Sequence, residues 1–314
     1  PWRVAVDTSV TPNRVYVSDF NNSRVLGWSN ASAFANGDPA DLVLGQPDLY
    51  TVGANTGGIT ATSMYGPNGI TVDAAGNLYV ADTNNNRVLE FDSPYTTDTI
   101  ADHVLGQADF ASNACFNASA TTLCHPYDVA VDAAGTVYAA DSDNNRLLAY
   151  AAPLSDGMAA AKVFGQAGMD FPLTQPNRGS ATPGPDSLSA PRVVTVDAAG
   201  NLYVADHGNG RIQVFDNDGV YKRSITGIGE PEALCITPGP HPVLYSSNSN
   251  SASDFDHGGE ITKLALDGTV LGRFGHAGKP LKAFGSVTGI DCRTPGTLWL
   301  AESGNWRVQK VVLH

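Results

Sequence analysis

The chain has 314 residues, with 31 acidic against 18 basic side chains and a formal charge of −13, a balance that repels phosphate backbones and excludes nucleic acid as an expected partner. No apolar run approaches the ~18 residues that span a bilayer. Only 16% of residues are charged, and 33 Gly with 19 Pro favour many turns and short strands over long helices.

In chain order, the first unit occupies residues 1–28 and has a long first turn, TSVTPN. Residues 67–91 read PNGITVDAAGNLYVADTNNNRVLEF, residues 126–150 read PYDVAVDAAGTVYAADSDNNRLLAY, and residues 191–215 read PRVVTVDAAGNLYVADHGNGRIQVF. A divergent fifth unit starts at PEALCIT (231–237), continues through PVLYSS (242–247) and returns at GEITKLAL (259–266). The sixth spans 285–311. The Asp closing each second strand falls at Asp19, Asp82, Asp141 and Asp206, and Glu302 follows 96 residues later, leaving room for the divergent unit.

Each unit opens with alternating residues such as Ile70-Thr71-Val72, turns on AAGN or AAGT, and continues through a strand such as Leu78-Tyr79-Val80 into a third, Arg87 to Phe91. Such short Gly-bearing connections reverse the chain between antiparallel strands. Fourth strands lie between units, at DLVLGQ (41–46), HVLGQ (103–107), KVFGQ (162–166), YKRSI (221–225) and VLGRFG (270–275). Four short strands repeated six times predict an all-β, six-bladed propeller of antiparallel blades. A single domain, 1–314, holds blades starting near residues 1, 67, 126, 191, 231 and 285.

The pattern Pro-x-(Gly)-Ile-x-Val-Asp-x-x-Gly-Asn-Leu-Tyr-Val-Ala-Asp-x-x-Asn-x-Arg-Ile-x-x-Phe resembles the NHL repeat. The likeness is sharpest in the second, third and fourth units and implies a six-bladed propeller, the count already reached from the repeats. One zinc-dependent lyase of the NHL propellers holds its metal with three His, each directly after the Pro that opens an innermost strand. The matching positions here are Trp2, Asn68, Tyr127, Arg192, Glu232 and Ser286. None is His, so the resemblance does not carry the zinc mechanism over. The lyase's functional Arg position corresponds to His207.

The last unit supplies three strands, near 286–291, 297–301 and 305–312, which leaves the blade incomplete and its edge, WRVQKVVLH, open to strand pairing. Pro1, where a Met would start a whole protein, points to a parent chain from which earlier residues were removed or of which this is a part. Long connections at 47–66, 108–125 and 167–190 lead into innermost strands, and SNSNSASDFDHGG (247–259) joins a second strand to a third. In a four-stranded blade all of these lie on one face, at the mouth of the central channel, and loops of this length carry function more often than short ones.

Trp2, Asn68, Tyr127, Arg192, Glu232 and His207 are therefore the candidate ligand-binding residues at that mouth. His125, His257, His276, Asp254 and Asp256 share the face, but a metal needs three or four converging ligands, and no metal or other cofactor is expected. The acid-to-Arg pairs five residues apart (Asp19/Arg24, Asp82/Arg87, Asp141/Arg146, Asp206/Arg211 and Glu302/Arg307) recur too often for a catalytic centre and are assigned to a structural turn. Asp141-Ser142-Asp143-Asn144-Asn145 lacks the Gly and distal Glu of a calcium loop.

Cys115 and Cys124 bracket eight residues and are expected to form a local disulfide. Cys235 and Cys292 are placed about three residues out of step, which disfavours a bond between them. The disulfide pair and low Lys content fit a secreted, periplasmic or cell-surface location, and Asn21, Asn30 and Asn117 begin glycosylation-type triplets. The functional expectation is an exported binding or scaffold module, engaging a small molecule, glycan or protein through the loop-rich face. A lyase- or hydrolase-type enzyme at the channel mouth and a structural surface module of a larger assembly are the alternatives.

Overall fold

The structure is a computed structural model describing residues 1–115, 118–170, 174–248 and 259–313. Among the described residues, twenty-three strands form six separate antiparallel sheets. Blade 1 contains β1 (Val4–Asp7), β2 (Arg14–Asp19), β3 (Arg24–Trp28) and β4 (Leu42–Leu44). Blade 2 contains β5 (Pro67–Val72), β6 (Leu78–Asp82), β7 (Arg87–Phe91) and β8 (His103–Leu105). Blade 3 has β9 (Pro126–Val131), β10 (Val137–Asp141), β11 (Arg146–Tyr150) and β12 (Lys162–Phe164). Blade 4 has β13 (Pro191–Val196), β14 (Leu202–Asp206), β15 (Arg211–Phe215) and β16 (Tyr221–Ile225). Blade 5 follows with β17 (Pro231–Ile236), β18 (Val243–Asn248), β19 (Ile261–Ala265) and β20 (Val270–Phe274). Blade 6 contains β21 (Val287–Asp291), β22 (Thr297–Glu302) and β23 (Arg307–Val312), three strands rather than four among the described residues.

The repeated Val-Asp…Leu-Tyr signature sets the first hairpin of each blade. Asp73 accepts the backbone N–H groups of Ala75 and Asn77 at 2.8 and 2.9 Å and the Tyr79 hydroxyl at 3.3 Å. Gly76 takes φ +92°, a left-handed turn conformation that a Cβ disfavours. Asp132 and Asp197 repeat this arrangement with Tyr138 and Tyr203. The aromatic at this level (Tyr16, Tyr79, Tyr138, Tyr203, Tyr245 or Trp299) is buried in all six blades. Apolar clusters lie between neighbouring sheets, so each blade buries its faces against the next.

First and last blades meet directly. The Val6 N–H donates to Asp291 Oδ2 at 3.0 Å, and the Thr288 hydroxyl donates to the Trp2 carbonyl at 2.7 Å.

Two expectations are corrected by strand register. Cys235 and Cys292 are disulfide-bonded, with Cα atoms 6.0 Å apart. Cys235 pairs with Tyr245 and Asp291 with Trp299, which are equivalent positions, so Cys292 lies one residue beyond the level of Cys235 instead of three. In the same way Val287 pairs with Glu302 as Pro191 pairs with Asp206, so Thr288 and not Ser286 is the sixth member of the ring at the mouth. Cys115 and Cys124 are bonded as the sequence predicts.

Candidate functional site at the propeller mouth

The acid-to-Arg pairs build the loop-bearing face. After each of β2, β6, β10 and β14 the chain makes a single 3-10 turn and then a left-handed residue, at Ser23, Asn86, Asn145 and Gly210. Side chains that tolerate positive φ are selected there, which accounts for the recurrent Asn and Gly. Directly beyond it, Arg87 Nε meets Asp82 at 2.8 Å, Arg146 meets Asp141 at 2.6 Å and Arg211 meets Asp206 at 2.7 Å. Each guanidinium then fastens the loop leading into its own blade. Arg87 Nη2 donates to the Thr60 and Ser63 carbonyls, Arg146 to Ser119 and Thr122, Arg211 to Gly184 and Ser187, and Arg307 to Pro280 and Ala283. The partner acid accepts a backbone N–H from the same loop, at Tyr65, Cys124, Ser189 or Gly285, over 2.7–2.8 Å. The role is structural, and it is why long loops stand in fixed positions on this face.

Within that frame the predicted residues divide into two groups. Tyr127, Arg192, Glu232 and His207 converge from blades 3, 4 and 5. Glu232, almost fully buried, accepts from Arg192 Nη1 and from the Tyr127 hydroxyl at 3.3 Å. His207 Nδ1 lies 3.7 Å from the same carboxylate and 3.3 Å from the Pro231 carbonyl. The Arg192 guanidinium stacks 5.2 Å from the Tyr127 ring centroid. Burial, and then the Glu232 charge, push the Tyr127 hydroxyl above its usual pKa. The four side chains thus pair with one another at the inner-strand ends of blades 3, 4 and 5.

Trp2 stands apart from that cluster, whereas Asn68 borders it beside Tyr127. Trp2 packs against Phe20 with ring centroids 5.1 Å apart, in a groove of 260 Å³ that also includes Asp19, Gly304 and Trp306. Asn68 is 1% exposed, and neither atom of its amide has a hydrogen-bond partner among the described residues.

A cavity of 390 Å³ lies in the channel, lined by innermost strands and, on the opposite face, by turns that join first and second strands. Val72, Val131, Val196 and Ile236 line it, Asp132 and Asp197 lie in its rim turns, and Arg3 and Asp128 are its charged inner residues. Both are buried, and Arg3 Nε is 3.8 Å from Asp128 Oδ1. Burial raises the Asp128 carboxyl to about 6 despite the opposing effect of Arg3. On the same cavity Asp291 holds Arg293 at 2.7 Å, and Arg293 Nη1 reaches the Val72 carbonyl at 2.9 Å. Sequence reasoning missed these four residues. The available signal was one register level, Arg3, Gly69, Asp128, Val193, Ala233 and Gly289, in which two opposite charges flank a glycine.

Among the described residues, one group gathers three potential metal ligands, Cys115, Cys124 and His125. Its two sulfurs are joined as a disulfide, and His125 Nδ1 instead meets Asp143 at 2.6 Å. His257, Asp254, Asp256 and Asn117 lie outside the described residues.

Comparison with known proteins agrees with the repeat and the fold. The NHL repeat model matches residues 64–91, 123–150 and 188–215. NHL repeat-containing protein 3 from Homo sapiens is 33% identical over 138 residues, covering 41% of this chain and 34% of the relative. The mouse protein is 34% identical over the same length. The chain thus spans about a third of the length of these curated relatives. Among solved structures, virginiamycin B lyase from Staphylococcus aureus superposes with a TM-score of 0.55 at 13% identity, covering 99% of this chain and 94% of that one. A gluconolactonase from Xanthomonas campestris gives 0.55 at 16% identity, covering 99% and 85%. At these identities the likeness is one of fold.

Proposed function

Taking the chain as an NHL-repeat protein with a six-bladed propeller fold, we propose that it is an exported binding or scaffold module whose loop-bearing face engages a protein, glycan or small molecule. The observation that carries this is the mutual pairing of the polar side chains at the mouth. Tyr127, Arg192, Glu232 and His207 hold one another there, and around them the face presents a broad surface of fastened loops. That surface exposes Tyr50, Val52 and Tyr65 from one lead-in loop, at 90%, 49% and 44%, and exposed aromatics are the usual anchors of binding surfaces. Two disulfides, and no helix long and apolar enough to cross a membrane among the described residues, support export. Protein and glycan arrays screened with the chain and with Tyr50→Ser/Val52→Ser test the reading. Hits that the double variant loses while keeping its melting temperature support it, and hits retained unchanged overturn the assignment to this face.

A second reading, a lyase- or hydrolase-type enzyme, draws on the same cluster, because Glu232, His207 and Tyr127 are groups that can move protons. Structural neighbours named as a virginiamycin B lyase and a gluconolactonase make lactone substrates the first to try. An activity unaffected by Glu232→Gln would remove this reading.

A further inference from the structure

The channel cavity borders a cation whose donors are unmet. All six blades contribute to the cavity's walls, from Val4 in blade 1 to Ile290 in blade 6. Arg3 lines it at 5% exposure, and a guanidinium carries five N–H donors. None of its three nitrogens reaches an acceptor among the described residues. The nearby Asp128 stays 3.8 Å from Nε at Oδ1, and its other oxygen, Oδ2, accepts the Val194 N–H at 3.2 Å. The Tyr127 ring also lies beside the guanidinium, with its centroid 5.7 Å from Cζ, and offers a π-face where an oxygen is needed. The second charge pair of the cavity is complete, because Arg293 is held by Asp291 and by the Val72 carbonyl. What is missing inside the channel is therefore an acceptor for Arg3. Buried donors left without one are costly, and at 390 Å³ the cavity they border falls in the size range of small-molecule sites.

We propose that this cavity is a binding site for a small monocarboxylic acid with an apolar body, its carboxylate received by Arg3 and its body packed against Val72, Val131, Val196 and Ile236. A guanidinium matches a carboxylate through two parallel N–H···O bonds, and the acid's oxygens supply the acceptors that Asp128 does not. A single charge is selected because the walls beyond Arg3 are apolar and the rim turns carry Asp132 and Asp197, which oppose a second negative group. Asp128 is the competing anion. Arg3 is the charged side chain that faces it, and the other blades packed on it present Gly69 and the Val194 N–H. Burial raises the Asp128 carboxyl to about 6, so at lower pH it is neutral and an ionised ligand meets Arg3 without a rival. The site uses neither the exposed loop residues nor the cluster of Tyr127, Arg192, Glu232 and His207 as ligands, so it stands or falls separately from both readings above.

The probes are hexanoate and benzoate, with hexanamide and benzamide as uncharged matches, titrated into the 314-residue chain while the methyl resonances of Val72, Val131, Val196 and Ile236 are followed by NMR. At least one acid is expected to shift these methyls and to bind about tenfold more tightly than its amide, or better. Its affinity should rise several-fold between about pH 7.5 and about pH 5.5, where the acid is still ionised. Asp128→Asn should tighten binding at the higher pH and remove that dependence. Arg3→Met should abolish the preference for the acid. Should this variant unfold because Asp128 is left without its cation, Arg3→Gln/Asp128→Asn removes both charges together and should give the same loss. No binding of either acid at millimolar concentration, equal affinity for acid and amide, shifts that spare the four cavity methyls, or a preference that survives the loss of Arg3 would each overturn the proposal.

Discussion

The Arg3 guanidinium, from blade 1, passes Gly69 of blade 2 to reach Asp128 of blade 3, with Nε 3.8 Å from Oδ1. None of its three nitrogens makes a hydrogen bond among the described residues. The carboxylate is better held, accepting the Val194 N–H at 3.2 Å. A charge pair so buried and so thinly bonded costs desolvation that its mutual attraction offsets only in part.

That cost gives a signed pH dependence. Because burial raises the folded Asp128 carboxyl to about 6, the folded state retains a proton that the unfolded state releases near pH 4. Its contribution therefore makes stability fall as pH rises from about 4 to 6 and level off above that, by about 2–3 kcal/mol in total. Asp128→Asn should flatten this part of the profile. Denaturant midpoints at half-unit intervals between pH 4 and 7.5 check it, and an unchanged slope would place the proton elsewhere.

Gly69 is required where blade 2 meets Asp128 of blade 3. A Cβ there would lie 2.2 Å from Asp128 Oδ1 and 2.4 Å from the Asp128 Cα, so the neighbouring backbone would have to shift. Gly69→Ala is expected to cost about 1–3 kcal/mol by overpacking. Gly37→Ala, with nothing within 4 Å but φ +86°, controls for backbone strain alone.

Arginines of the repeated clamp should rank by their bonds. Arg87 is fully buried and serves Asp82, Thr60, Ser63 and Phe110. Arg87→Met should destabilise by about 3–5 kcal/mol, because it leaves a buried carboxylate uncompensated. Arg24→Met, with two partners and more solvent, should cost less than half as much. Equal losses in urea titration would contradict the ranking.

The Cys235–Cys292 bond closes a loop across 57 residues, for which the chain-entropy treatment gives about 4 kcal/mol. Replacing both residues with Ala should lower the unfolding free energy by about 2–4 kcal/mol. Reductant should destabilise the wild type by more than it destabilises the variant, which keeps only the Cys115–Cys124 bond.

Sequence periodicity was enough to count the blades and place the loops because the repeat is written in turn chemistry: Asp73 and its equivalents, the AAG turns and the left-handed Asn residues are local requirements. The cysteine pairing and the identity of Thr288 were lost for one reason. The sixth unit has no Pro opening its first strand, so counting from the unit's start misaligned it, and only pairing with Glu302 and Trp299 fixes the level. At the mouth the choice of positions was legible from the Pro marker. Their mutual neutralisation was not, since Arg192, Glu232 and Tyr127 stand up to 105 residues apart. Arg3 and Asp128 escaped notice because Asp128 lies inside an otherwise ordinary strand and Arg3 directly ahead of one.

The seam between the first and last blades also has a mechanical meaning. The ends of the chain lie at opposite margins of it, β1 innermost and β23 outermost, and the Val6–Asp291 and Thr288–Trp2 bonds cross it. Tension on the two termini would strip β23 from β22 one bond at a time, at low force, before loading those crossing bonds together in shear. The Cys235–Cys292 link ties blade 6 to blade 5 on the seam's far side, so a pulled molecule should give way first at its outer margin while the other five blades keep their packing.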